Sequence, residues 1–208
     1  MKELLNKGAI LILSGPSGCG KSSLLKELYK KIDNYYFSIS TTTRKPRVGE
    51  QDGVEYNFVT KEEFEKDIDE GHFLEYARVH KNYYGTSLKP IEKALKEGKL
   101  VIFDIDVQGH DLVRQELDEV TTSVFITTPT LSELEKRLNN RATDSKEIIK
   151  NRIKNAKREI KSIKHYDYFI CNDNFEEAVE QLICIAKMAL NKTTIFDSKQ
   201  IKKYWLNN

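Results

Sequence analysis

Apolar residues run unbroken through Ala9-Ile10-Leu11-Ile12-Leu13. A run with no polar face predicts a strand covered on both sides, as inside a parallel sheet. A glycine-rich turn from Gly15 to Gly20 follows at once. Leu24, Leu25, Leu28 and Ile32 then recur at helical spacing and predict a helix from about Lys21 to Lys31. Strand, glycine turn and helix in that order open an α/β domain. Leu100–Ile105, Ser123–Thr127 and Tyr168–Cys171 are further short apolar runs, read as additional parallel strands.

Between the first helix and Leu100 the pattern changes. Tyr36–Ser40 and Val54–Val59 read as strands separated by the turn-rich Lys45-Pro46-Arg47-Val48-Gly49 and by Asp52-Gly53. Aromatic and β-branched pieces follow at Phe73–Val79 and Tyr83–Thr86, ahead of a helix near Lys89–Lys96. Residues 36–88 therefore read as a small β-rich insertion. From Leu131 the chain is mostly helical, with Leu131, Leu134 and Leu138 on one side of the first helix. Thr143 to Glu147 reads as a break, Asp144 capping the next helix and Glu147 lying three residues on. Helices are expected over Ser145–Ile163 and Phe175–Leu190. A polar tail, 191–208, ends in Tyr204-Trp205-Leu206, for which packing on the core is the simple expectation.

Composition narrows the class without naming it. A chain of 208 residues supports one sizeable core with small mobile subdomains. The formal net charge of +2 is nearly balanced, so positive sites must be local, built from particular arginines. Neither nucleic acid nor a membrane is an expected partner on that ground. Cys19, Cys171 and Cys184 form no CxxC pair and leave an odd count, which argues against a disulfide framework or a zinc site. The opening apolar run is too short for a secretory segment and no stretch approaches membrane-spanning length. A reduced, cytoplasmic protein is expected.

Gly15-Pro16-Ser17-Gly18-Cys19-Gly20-Lys21-Ser22 matches GxxxxGK[ST] at every fixed position, between a buried strand and a helix. The glycines let backbone N–H groups converge on an anion, and the helix N-terminus adds positive potential. Lys21 is placed for the β- and γ-phosphates of a nucleoside triphosphate and the Ser22 hydroxyl for Mg²⁺. The expected ATP contacts are Gly15, Pro16, Ser17, Gly18, Cys19, Gly20, Lys21, Ser22 and Ser23. Such a loop fixes a donor only; ATPase, GTPase and kinase all remain open.

The insertion supplies a second site. Arg44 and Arg47 flank a proline-stiffened turn and can grip a monophosphate through bidentate hydrogen bonds, with Tyr56 and Tyr84 adding hydroxyl donors. The string from Ser38 to Phe58 meets the pattern SxSxTTRxPRxGExxGxxYxF almost throughout, and Phe73-Leu74-Glu75, Asn82-Tyr83-Tyr84-Gly85 and Asp104-Ile105-Asp106-Val107-Gln108-Gly109 follow. On these residues the chain resembles the guanylate kinase family of nucleoside-monophosphate kinases, from about Ile10 to Leu190. The resemblance implies a parallel-sheet P-loop α/β core with helices on both faces (1–35, 89–136 and 153–190), a GMP-binding insertion (36–88), a helical lid (137–152) and the tail. It implies Mg²⁺-dependent transfer from ATP to GMP, with dGMP as a second acceptor. It leaves the oligomeric state open.

By the same resemblance Glu75 reads guanine. One carboxylate can accept from the adjacent N1–H and N2–H donors, while Ser40 and Thr86 donate to O6 or N7. Adenine would leave a buried polar mismatch, a penalty on the order of 10⁴ in selectivity. Asp104 and Asp106 close an apolar strand, where i,i+2 spacing puts both on one side. A carboxylate there is the usual Mg²⁺ partner of a P-loop, directly or through water. Asp106 is the expected metal residue and Asp104, by resemblance, a GMP contact; their division is open. Arg137 and Arg141 share a helix face and Arg152 lies on the next helix. The resemblance places all three in a lid closing on the ATP phosphates, and Asn172 against adenine. With Lys21 and Arg44 they form the expected catalytic set. Cys19 is a loop residue just ahead of a helix N-terminus, where a thiol pKa can fall, so its alkylation is expected to block ATP binding. A catalytically dead scaffold domain would lack the loop and lid arginines, all present here. A kinase for a ribosyl bisphosphate would not need Glu75 and the two tyrosines.

Overall fold

The computed structural model describes residues 7–140 and 145–207. Its first half contains β1 (Ala9–Ser14), α1 (Lys21–Tyr29), β2 (Tyr35–Phe37), β3 (Thr41–Thr42), β4 (Asn57–Phe58), α2 (Lys61–Asp69), β5 (Phe73–Val79), β6 (Asn82–Ser87) and α3 (Leu88–Lys96). There follow β7 (Leu100–Asp104), α4 (Val107–Leu117), β8 (Thr121–Thr127), α5 (Leu131–Asn140), α6 (Lys146–Glu159), β9 (Tyr168–Cys171), α7 (Phe175–Ala189) and α8 (Ser198–Leu206). A main sheet has the order β2-β7-β1-β8-β9 with every pairing parallel. A smaller mixed sheet has the order β4-β3-β6-β5.

The main sheet forms because its strands have two apolar faces. Along β1, Ala9, Leu11 and Leu13 join one core cluster, and Ile10 and Ile12 the other. β7 divides the same way, Leu100 and Ile102 against Val101 and Phe103. That period of two is what a strand between helical layers requires. Leucines of α1, Leu134 and Leu138 of α5, Ile149 and Ala156 of α6 and the buried stripe of α7 cover one face. Ile91 and Ala94 of α3 and Val113 of α4 cover the other. Full burial of each large aliphatic side chain contributes about 1.5–3 kcal/mol, so β1 is the element the domain can least lose.

Three expectations need correction, and one helix was not expected. Tyr36 belongs to the main sheet, not the insertion: Tyr35–Phe37 pairs in parallel with Leu100–Ile102, with Tyr35 and Phe37 on one core face and Tyr36 on the other. The smaller unit therefore begins after Ser38, whose amide still bonds Ile102 O at 2.9 Å. Within it Val54–Val59 shrinks to the two-residue β4, because Asp52-Gly53 and the loop to Tyr56 take up the rest as turns. Unforeseen is α2, started by a capping box in which Thr60 and Glu63 exchange side-chain and backbone bonds. The tail also differs. Ile195 is fully buried in the core, but the chain leaves it there, and α8 carries Trp205 outward at 78% exposure. Asp144 lies outside the described residues; the cap on α6 is Ser145, accepting from Ile148 N.

Phe64 of α2 holds the smaller unit together. It is fully buried and stacks on Phe73 and Tyr83, with ring centroids 4.1 and 5.2 Å away. Phe64→Ala is expected to destabilise this unit by about 3–5 kcal/mol. Amide hydrogen exchange should quicken in β5 and β6 while β1 and β7 keep their protection; uniform loss across both sheets would show that the two units unfold as one.

Candidate active site

β1 ends at Ser14 and α1 begins at Lys21, so the intervening loop turns the chain from strand to helix. Gly15 has φ 140°, and a Cβ there would lie 1.9 Å from Ile126 O on β8. Gly20 has φ 103°, and its Cβ would lie 2.2 Å from Asn172 Nδ2. No other residue fits either place without moving a neighbour. Lys21 folds across the loop mouth, donating to Gly15 O at 2.6 Å and lying 3.9 Å from Asp104 Oδ1. Gly15, Ser17, Gly18, Gly20, Lys21 and Ser22 face Asp104, Ile105, Asp106 and Glu159 across a cleft of about 340 Å³. Of the remaining loop positions Pro16 is buried, and Ser23 is exposed on the first turn of α1.

Two of the expected ATP contacts have buried side chains. Cys19 is fully buried against the core beneath the loop. Burial pushes its thiol pKa up against the opposing pull of Lys21, so the expected lowering by the helix N-terminus does not win. Asn172 is only 4% exposed, and its Nδ2 donates to Cys19 O at 2.8 Å. Its side-chain amide braces the loop from below, where an adenine-reading group would face outward. It still borders a cavity of about 510 Å³ with Gly18, Gly20, Ser23, Arg137, Asn140, Asp173 and Phe175.

The two aspartates do not share a strand. β7 stops at Asp104, while Asp106 caps α4, its Oδ1 accepting from Gln108 N at 3.0 Å and Gly109 N at 2.9 Å. Both nonetheless line the phosphate cleft. Burial raises the Asp104 carboxyl pKa, with Lys21 opposing. Only Asp106 also reaches the neighbouring cavity, about 350 Å³, where Glu75 and Thr86 lie with Leu74, Phe103, Ile105, Gln108, Gly109 and Leu112. Asp104, expected by resemblance to contact the acceptor, lines the cleft beside the loop and not the cavity of Glu75 and Thr86.

In the acceptor cavity Thr86 Oγ1 donates to Glu75 Oε1 at 2.7 Å across the β5–β6 pair. Ser40, half-buried, directly precedes β3. At the other end of the small sheet Arg44 lies 5.3 Å over the Tyr56 ring, and Tyr56 meets Tyr84 edge-on at 5.9 Å. Arg44 is held by Glu50 through two bonds of 2.9 Å, and Glu50 also accepts from Arg47 N at 2.7 Å. That pairing raises the Arg44 pKa and holds the Glu50 carboxyl below its usual range. Arg47 itself is exposed. Glu50 was legible only as a letter of the PRxGE string; its hold on Arg44 needed coordinates.

Two of the three lid arginines reach the loop. Arg152 Nη1 donates to Ser17 Oγ, and Arg137, held by Glu133 Oε1 at 3.1 Å, borders the cavity with Gly18 and Gly20. Arg141 lies outside the described residues. Glu159, at the end of α6, is a cleft residue that the sequence reading missed; its spacing of seven from Arg152 was the available signal.

The guanylate kinase family model matches residues 7–188. The chain is 57% identical to the guanylate kinase of Sulfurimonas denitrificans over 198 residues, 95% of this chain and 96% of that protein. It is 54% identical to that of Wolinella succinogenes over 200 residues, 96% and 93% of the two chains. Among solved structures it resembles guanylate kinase from Anaplasma phagocytophilum with a TM-score of 0.64 and 33% identity, covering 92% of each chain.

The buried loop thiol predicts a reactivity order. Iodoacetamide at neutral pH should label the exposed Cys171 and Cys184 at least ~10-fold faster than Cys19, read by peptide mass spectrometry. Labelling of Cys19 as fast as the others would mean that the loop opens.

Proposed function

The chain belongs to the guanylate kinase family and transfers a phosphoryl group from ATP to GMP, and we propose the following division of that work among its residues. The loop 15–22 and Lys21 hold the ATP phosphates, with backbone amides and the N-terminus of α1 facing the anion. The cavity beside Asn172, Asp173 and Arg137 takes the adenine end. Arg44, Arg47, Tyr56 and Tyr84 hold the GMP phosphate, and Ser40, Glu75 and Thr86 read its base. The two sites meet at Ile105 and Asp106, which line both cavities. That shared wall carries the reading, since in-line transfer needs donor and acceptor oxygens within contact distance.

The cleft offers hard oxygens, the Ser22 hydroxyl and the carboxylates of Asp104, Asp106 and Glu159, and oxygen donors of this kind are what Mg²⁺ prefers. Ser22 and Asp106 would hold it, Asp106 having one carboxylate oxygen engaged by the α4 cap and one left for the cleft. Bound with ATP, the ion neutralises charge on the phosphoryl oxygens. Arg152 and Arg137 reach the loop and, with Lys21, stabilise the charge of the moving group. Arg44 is held in place by its two bonds to Glu50, so the incoming phosphate meets a donor already positioned. A reading of dGMP as second acceptor follows from base recognition through Glu75, which makes no demand on the ribose 2′-hydroxyl.

Steady-state ADP formation with ATP·Mg²⁺ and a panel of GMP, dGMP, AMP and UMP tests this directly. Turnover is expected with GMP and dGMP and to be negligible with the others. Glu75→Gln should lower kcat/KM for GMP about 10- to 100-fold, as loss of a hydrogen bond to a charged group would, and leave the KM for ATP in place. An unchanged preference for GMP over AMP in that variant would contradict the assigned base contact.

A further inference from the structure

The inward positions of α6 are Ile149, Arg152, Ile153, Ala156 and Glu159, buried or half-buried among exposed neighbours. This is an ordinary helical stripe except at its two charged members. Arg152 meets Ser17 on the phosphate loop. Glu159 stands two turns on, roughly 10 Å along the axis, where an apolar residue would extend the stripe. Instead its carboxylate faces the phosphate cleft opposite Lys21 and beside Asp106. Among the described residues no ion pair or hydrogen bond engages it, although Lys157 and Arg158 are adjacent in sequence. Burial and the Asp106 charge raise its pKa, and Lys21 opposes them.

The charge balance of the cleft is the telling point. Its lining carries one ammonium, Lys21, against three carboxylates, Asp104, Asp106 and Glu159, a sum of −2 before any nucleotide enters. A site for the polyphosphate of ATP cannot keep three carboxylates near those oxygens without a cation between them. Asp104 pairs with Lys21 and Asp106 is half used by the α4 cap. Glu159 has neither outlet.

We propose that Glu159 is a positioning residue for the ATP-bound divalent cation, holding the water shell of that ion from the side of α6. One helix then grips both ends of the phosphate chain, Arg152 at the loop tip and Glu159 at the cation. The lid helix and the loaded metal are thereby coupled. This inference rests on the reading of Ser22 and Asp106 as the metal site.

The test is Mn²⁺ affinity, measured by electron paramagnetic resonance on the complex with a β,γ-imido analogue of ATP, beside calorimetric binding of the same analogue in EDTA. Glu159→Gln should raise the Mn²⁺ Kd about tenfold, as loss of an outer-shell partner does. It should leave metal-free analogue binding as tight or tighter, because a repelling carboxylate is gone. Asp106→Asn, which keeps a capping side chain on α4, is the control and should also weaken Mn²⁺. Wild-type Mn²⁺ affinity in Glu159→Gln with weakened affinity in Asp106→Asn overturns the inference alone. No effect in either variant overturns the metal-site reading and this inference with it. Parallel loss of Mn²⁺ and metal-free binding marks a structural role and overturns it too. Should Glu159→Gln fail to fold, Glu159→Asp is read by the same measurements, with weaker Mn²⁺ and unchanged metal-free binding expected.

Discussion

The backbone of residues 15–20 turns from strand to helix in a space where two of its positions tolerate no Cβ, and everything else in the molecule is arranged around that turn. β8 presses on it at Gly15, and Asn172, at the end of β9, at Gly20. The Asn172 amide ties down the Cys19 carbonyl, and the Cys19 side chain anchors the loop in the core below. The loop backbone is thus held before any ligand arrives. Such preorganisation is what makes a cradle of weak dipoles effective for an anion, since no reorganisation is needed on binding.

Because the loop is rigid, the acceptor must be brought to it. The small unit beginning after Ser38 hangs from the main sheet between β2 and α3, and carries its own aromatic core around Phe64. The residues proposed to hold the acceptor lie at two ends: Glu75 and Thr86 toward Asp106, and Arg44 with Tyr56 and Tyr84 farther out. The outer group is held by Glu50 and the aromatic rings rather than by the main core. No helix among the described residues is long and apolar enough to cross a membrane.

Much of this was legible in the chain because the relevant signals are local. A doubly buried strand such as Ala9–Leu13 announces itself, as does a glycine loop ahead of a helix, and all the parallel strands after Leu100 fall where apolar runs predicted them. Failures came where tertiary context outweighs local pattern. Tyr35–Phe37 reads like the strands after it, and only its pairing with β7 places it in the main sheet. The charged α2 shows a weak apolar stripe, so its capping box was the better clue. Cys19 and Asn172 read as nucleotide contacts, and their burial, with the Asn172 amide on the Cys19 carbonyl, is set by packing that no local pattern signals. Asp104 and Asp106 were assigned one side by strand alternation, which ended at Asp104 when the chain turned into α4.

The central claim is that donor and acceptor are bound by separate units that share only the wall at Ile105 and Asp106. Calorimetric titration of Lys21→Ala and Arg44→Ala with each nucleotide alone tests it most directly. The account predicts that Lys21→Ala loses ATP binding and keeps GMP binding near wild type, and that Arg44→Ala does the reverse. Loss of both nucleotides in either folded variant would contradict it.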